Sequence, residues 1–517
     1  MSNDGTLAEG ATDATNDLPT PEFGGGRRLA SNTAALVGSR LVVAVLGWLG
    51  TVLIARELDQ EAFGQFTLVF SILGMLSVVT DLGVGRIAVA GIMQAPADRA
   101  GDTAADATAG PDRATFAGTY LVLRSLLGVV GYALALGAVV VLGYPREVVM
   151  ATAVGGVVVL LATPAAAYEV AYQVRDRLLP LAYSRVVGQL AQLALTVALV
   201  LEGGSLVWFM VPAVLRDLIV VSWVGPGAHR LMPIRYRVDP ATWKRLLREA
   251  VPLTAGTAFV ILYYRIDSVM LSKLDGFDAV AVYGVAYKFV DLVHFVPLAL
   301  TTAILAPLTA AWPESGTAAA PARFADIVTS GGRILAFATV GPAVAFALFG
   351  AEFAGLLYGE VYEAAGSASA IVLAAEALGA QSALAITALV AAGHHRVYPF
   401  VTLAGLVFNI ATNFVLIPRW SLEGAAVATL ATEALVVVLL ARQVRSLDVR
   451  LVDPGFALWV ALAAGAALGV GAGLATVLPW FPAAVGAGVI YVAIAGLAVR
   501  RSRAGDGEAA EAAEAAS

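Results

Sequence analysis

Apolar residues run along this chain in blocks of about twenty, separated by short polar stretches. A helix of that length crosses the hydrocarbon core of a bilayer. The blocks lie near 33–55, 64–84, 116–142, 148–168, 181–201, 205–224, 250–271, 280–305, 327–349, 367–391, 397–417, 423–441, 455–478 and 482–499. They predict an all-α polytopic membrane protein of about fourteen transmembrane helices. Glycine and proline inside the blocks are ordinary for membrane helices.

Composition agrees. Of 517 residues, 59% are hydrophobic and only 14% charged, and the mean hydropathy is +0.82. A soluble domain carries roughly a quarter charged residues, so part of the surface must meet lipid. The absence of cysteine removes disulfides, thiolate metal sites and cysteine nucleophiles. Residues 1–32 are polar and acidic, with Asp4, Glu9, Asp13, Asp17 and Glu22, and carry no cleavable signal pattern. The first helix is therefore expected to stay as an anchor.

Basic residues orient the spans. Only Arg56, Arg146, Lys273 and Arg419 fall on one face, and Arg40, Arg124, Arg216, Arg265 and Lys288 fall within spans. Every other arginine and lysine falls on the face that carries both termini. This predicts a cell-membrane protein with cytoplasmic N- and C-termini. Its loops are short. The longest are 86–115, acidic and Ala-rich, and 225–249; in the latter, residues 240–250 read as an interfacial helix with Trp243, Leu246, Leu247 and Ala250 toward lipid. Lys244, Arg245 and Arg248 would meet headgroups.

The two halves repeat. LIARELDQEAFGQF (53–66) parallels MLSKLDGFDAVAVYG (270–284), which matches Arg56 with Lys273, Asp59 with Asp275 and Gly64 with Gly284. Glu202-Gly203 likewise matches Glu423-Gly424. Six spans per half is an even number, so the halves share one orientation and are related by an axis along the membrane normal. The expected organisation is a tail (1–32), a first six-helix bundle (33–225), a linker (226–249), a second bundle (250–445), two additional helices (455–500) and a tail (501–517). The tails are expected to be disordered.

The segments ARELDQEAFGQFTLVFSI (55–72), YYRIDSVMLSKLDGFDAVAVYGVAYKFVDLVHFVPLALTTAILAPLTA (263–310), FGAEFAGLLYGEVYEAAG (349–366) and LIPRWSLEGAAVATLATE (416–433) carry a resemblance. They resemble the polysaccharide-biosynthesis, lipid-linked oligosaccharide flippase family of the multidrug/oligosaccharidyl-lipid/polysaccharide exporter superfamily. The resemblance covers about residues 33–500. It implies a V-shaped pair of bundles whose cavity opens alternately to each side as a polyprenyl- or dolichyl-linked glycan crosses to the outer leaflet. One departure is the first external loop, where Leu58-Asp59-Gln60-Glu61 stands for the family's Leu-Gly-Pro-Glu.

Ionisable residues within spans are costly unless they face protein or water, so they are the site candidates. Arg40, Arg124, Arg265 and Lys288 could grip the phosphate of such a carrier, with Tyr263, Tyr264, Tyr287, Asn409 and Asn413 as glycan partners. Asp81, Asp267 and Asp291 are candidates for ion coupling. Each also has a structural reading. Lys288 and Asp291 can pair along one helix, Arg124 can snorkel, and Asn409 with Asn413 can bridge helices. His294 reads as a satisfied interior residue, Arg216-Asp217 as a boundary pair, and Glu376 and Glu433 as helix-pairing groups.

No Walker loop is present, and no cofactor, metal site or nucleic-acid surface is indicated. The partners expected are the lipid-linked glycan, membrane lipid and glycosyltransferases of the same pathway. Two rivals stay open: an ion-coupled multidrug or metabolite exporter of the same superfamily, and an integral-membrane glycosyltransferase or polymerase. The basic excess in the spans disfavours the first. Short loops without a DxD-type cluster disfavour the second.

Overall fold

The computed structural model describes residues 26–81, 83–95, 112–312 and 321–515, leaving the side chains of 26–37, 78, 81, 86, 252, 253, 395 and 501–515 outside the description. Among the described residues all regular structure is helical. The first bundle comprises α1 (Gly26–Glu57), α2 (Gln60–Asp81), α3 (Val84–Gln94), α4 (Arg113–Val141), α5 (Arg146–Gly155), α6 (Val157–Val174), α7 (Leu179–Glu202) and α8 (Val211–Leu231). The second comprises α9 (Pro240–Leu274), α10 (Phe277–Val293), α11 (Phe295–Ala311), α12 (Ala322–Tyr358), α13 (Ala365–Ala391) and α14 (Tyr398–Arg445). The last pair, α15 (Pro454–Ala475) and α16 (Trp480–Ala515), packs on itself and on α12.

Eleven helices are long and apolar enough to cross a membrane, or twelve with the bent α9. The sequence gives about fourteen spans for two visible reasons. One is that α14 holds two of them, joined at Trp420 and Ser421, whose backbone leaves the helical region. There Gly424 packs so closely that a Cβ would lie 2.3 Å from the Leu416 carbonyl oxygen, so the chain turns back on itself. The other is α2, a further apolar helix of 22 residues. The chain segment 148–168 falls in α5 and α6, which are broken only at Gly156.

Two segments differ from expectation. The helix α16 continues to Ala515, through the stretch assigned to a disordered tail, because its Ala- and Glu-rich sequence favours helix. At the other end, α1 already begins at Gly26.

The interfacial segment also differs. Leu246 and Ala250 are fully buried in the first bundle's core beside Tyr120 and Tyr172, with Trp243 and Leu247 packed against it, rather than turned to lipid. The Trp243 indole donates to the Thr119 carbonyl at 2.9 Å. The segment just before it is fastened too, since Arg235 N–H donates to the Ala114 carbonyl and its guanidinium bonds Asp112 at 3.0 Å. Buried apolar area is available on α4, and backbone groups need partners, so the linker docks on protein. Asp239 caps α9; the Thr242 hydroxyl and backbone N–H bonds hold its carboxyl below the usual range. At Pro252, which cannot donate to a preceding carbonyl, α9 bends by 63° and passes into the second bundle.

The cores explain how the bundles meet. One cluster is shared: Ile54, Phe63 and Met210 of the first bundle pack with Leu271, Tyr283 and Tyr358 of the second. Toward the opposite ends the cores separate. Tyr120, Tyr172 and Val224 belong to the first bundle alone, and Phe324, Leu384 and Leu440 to the second. The bundles therefore share one core at the face bearing the α1–α2 turn, while toward the other face α9 stays against the end of α2, where a Cβ on Gly83 would lie 1.9 Å from Thr254 Cγ2.

Candidate functional site

The closed face is built by repeated contacts. Two of the glycines matched in the sequence repeat form the α2–α10 crossing. A Cβ on Gly64 would lie 1.9 Å from the Phe277 carbonyl oxygen, and one on Gly284 would lie 2.6 Å from Thr67 Cγ2. Only hydrogen leaves room for this approach. The matched cations act likewise. Arg56 donates to the carbonyls of Leu356 and Leu357 at 2.6 and 2.8 Å, and Lys273 donates to the Leu142 carbonyl at 2.7 Å. Lys273 also lies over the Tyr144 ring, 3.6 Å from its centroid.

Further along the bundles, α9 and α10 carry ionisable groups. Arg265 points across to the first bundle, where a Cβ on Gly74 of α2 would lie 3.6 Å from its Nε. Lys288 and Asp291 form an ion pair at 3.5 Å, both partly exposed. Tyr287 packs against Tyr283, with ring centroids 5.0 Å apart. Arg265 thus stands on α9, and Tyr287, Lys288 and Asp291 stand on the neighbouring α10.

Asp267, Asn409 and Asn413 are elsewhere. All three are fully buried inside the second bundle. Asp267 accepts from the Tyr283 and Thr429 hydroxyls at 2.8 and 2.7 Å and from Asn413 Nδ2 at 2.8 Å. Asn413 Nδ2 also bonds Asn409 Oδ1 at 3.0 Å. One carboxylate thus ties α9, α10 and both limbs of α14. A third group forms where Tyr263 donates to Glu433 at 2.9 Å and His294 Nδ1 meets Glu376 at 2.9 Å.

The other expected residues separate from these. Arg124 is 5% exposed and donates to the Thr80 carbonyl at 2.6 Å, bracing α4 against the end of α2. Arg40 is exposed on α1. The side chain of Asp81 lies outside the described residues. Arg216 bonds Asp217 at 2.6 Å in a recess that also holds the Arg185–Glu169 pair.

Sequence reasoning missed Tyr283, Thr429 and the joining of Glu376 with His294. One signal was available: Asn409 with Asn413, and Thr429 with Glu433, each stand four apart on one helical face.

A family model described as "Polysaccharide biosynthesis protein" matches residues 29–311. The chain belongs to that family. Among solved structures, this polysaccharide biosynthesis protein is similar to the lipid II flippase MurJ in an inward closed conformation, with a TM-score of 0.71 at 11% identity, covering 90% of this chain and 98% of that one. It is also similar to an inward-facing multidrug resistance MATE family transporter of the MOP superfamily, with a TM-score of 0.60 at 14% identity over 78% of this chain and 95% of that one. A mutant of the Vibrio cholerae MATE transporter VcmN matches with a TM-score of 0.54 at 14% identity over 81% and 97%. No curated protein matches significantly. At these identities the likeness shows the fold alone: the polysaccharide biosynthesis protein has the helical fold of the MOP superfamily.

Proposed function

We propose that this membrane protein is a flippase, not an enzyme, which moves a polyprenyl- or dolichyl-phosphate-linked oligosaccharide from the cytoplasmic to the outer leaflet. The observation that carries the reading is Arg265, which reaches from the second bundle toward Gly74 of the first, with the partly exposed Lys288 on the next helix. In a desolvated cleft an arginine fork or lysine point charge attracts phosphate more strongly than at a surface. The sugars would occupy the wet cleft beside Tyr287, and the isoprenoid tail would stay in lipid. Family membership and the flippase and transporter folds support this class. The basic-residue bias supports cytoplasmic termini in the cell membrane. The sealed α1–α2 face would then be the outer one, with the cleft open to the cytoplasm. Asp267 is the coupling carboxylate that best suits a cation, being enclosed by oxygen-bearing groups.

One observation favours the exporter reading: Asp291 pairs with Lys288 and lowers the cleft's positive charge. The deciding experiment is the sidedness and mass of lipid-linked oligosaccharide in cells lacking the gene. Cytoplasmic accumulation with loss of surface glycan is expected; normal sidedness would move the assignment to export of small amphiphiles.

A further inference from the structure

The second bundle holds two acids outside the proposed phosphate grip of Arg265 and Lys288. Glu376 on α13 is 2% exposed and Glu433 on the second limb of α14 is 1% exposed. Each has one oxygen, Oε2, that accepts no hydrogen bond among the described residues. Glu433 Oε2 lies against Gly379, where a Cβ would be 3.3 Å away, one turn along α13 from Glu376. The two carboxyls thus lie along the same stretch of α13, about one turn apart.

The titratable groups around them are Tyr263 and Tyr264 from α9, Tyr398 from the first limb of α14, and Asp291 and His294 from the α10–α11 segment. Tyr287 and the paired Lys288 lie a turn or two before His294 on α10. Of the groups touching the two acids, His294 is the one that can become a cation. Its side chain is 55% exposed, while the Glu376 partner it bonds at 2.9 Å is 1% exposed. It therefore links the surface of the bundle to the buried acids. It also stands at a break between α10 and α11. Pro297 causes the break, because it has no N–H for the Val293 carbonyl.

Two ionised carboxyls beside a neutral imidazole would leave uncompensated charge inside a membrane bundle, an expensive state that binding protons removes. We propose that His294, Glu376 and Glu433 form a proton-binding site loaded from the cleft, whose occupancy biases the bundles between their two openings. A proton reaches His294 Nε2 from water. The Nδ1 proton passes to Glu376 Oε1, leaving a neutral ring and a neutral acid. Exchange along this stretch of α13 then lets Glu433 share it. Only N–H and O–H bonds are made and broken. The proposal rests on the flippase reading solely for what the proton drives.

The test needs no cargo. Full-length protein in vesicles of phosphatidylcholine and phosphatidylglycerol is followed by infrared spectroscopy as pH falls from about 8 to about 5, the range in which a histidine-linked site titrates. A protonated-carboxyl band that shifts in heavy water is expected to grow. It should be lost or halved in Glu376→Gln, and its midpoint should move in His294→Gln, a half-exposed position that tolerates substitution. If Glu376→Gln does not fold, Glu433→Gln and His294→Gln carry the test. A band that none of these variants changes, or no titrating carboxyl at all, overturns the site. If the band behaves as expected while cells lacking the gene show normal glycan sidedness, the proton site stands and the cargo reading falls. The reverse pair of results does the opposite.

Discussion

Arg56 and Lys273 do the same task from opposite bundles. Each leaves the end of its bundle's first helix and caps the last carbonyls of the other bundle's third span: Arg56 at Leu356 and Leu357 of α12, and Lys273 at Leu142 beyond α4. A cation at a helix C-terminus satisfies orphan carbonyls and the negative end of the dipole. The two contacts are related by the repeat, so each fastens one bundle to the other at the same face. The double variant Arg56→Ala/Lys273→Ala is expected to loosen the sealed face. The natural chain has no cysteine, so Thr67→Cys, placed under the seal, reports this directly. Labelling by an impermeant maleimide from the α1–α2 face should rise several-fold in the double variant; unchanged labelling would show that the apolar core alone closes the face.

Gly64→Ala places a methyl group into the Phe277 carbonyl. Overpacking of this kind costs typically about 1–3 kcal/mol. The cost falls only on the closed arrangement, so the same thiol probe should report a population shifted open, with expression in the membrane retained.

In the cleft, Arg265→Ala and Lys288→Ala are expected to abolish flipping while insertion persists. Arg265→Ala should be the more severe, because Lys288 already shares its charge with Asp291. Cellular glycan sidedness measures both. Normal transport by both variants would remove the anion-gripping role from Arg265 and Lys288.

Asp267→Ala leaves the Tyr283, Thr429 and Asn413 donors without their buried acceptor. Each such loss costs about 1–3 kcal/mol, so unfolding of the detergent-purified protein should begin at clearly lower temperature. Asp267→Asn keeps the shape, and the hydroxyls can rotate to meet it. That variant should stay folded but lose transport; parental transport would strike Asp267 from ion coupling.

The docked linker gives a stability prediction. Leu246 is fully buried, and Leu→Ala at such a site costs about 2–5 kcal/mol. If residues 240–250 lay on lipid, Leu246→Ala would hardly change thermal unfolding, so a melting comparison with the parent separates the two placements.

The sequence by itself determined the solvent of this protein, its helices, and the pairing of its halves. Twenty-residue apolar blocks admit little but membrane helices, and Arg56 with Lys273 or Gly64 with Gly284 are matched by spacing alone. The intramembrane acids and amides were also legible as exceptional, since charge in lipid needs a reason. What they bond to was not. Asp267 and Arg265 stand two residues apart, yet one is enclosed by α10 and α14 while the other reaches α2 of the opposite bundle. Arg124 reads as a cleft cation but braces the end of α2. Trp243 and Leu246 have an interfacial pattern, yet Leu246 is buried in the first bundle's core and Trp243 bonds the Thr119 carbonyl of α4. In each case the helical face a side chain occupies follows from local periodicity, whereas the surface opposite that face is set by how distant helices cross, and only the tertiary structure decides it.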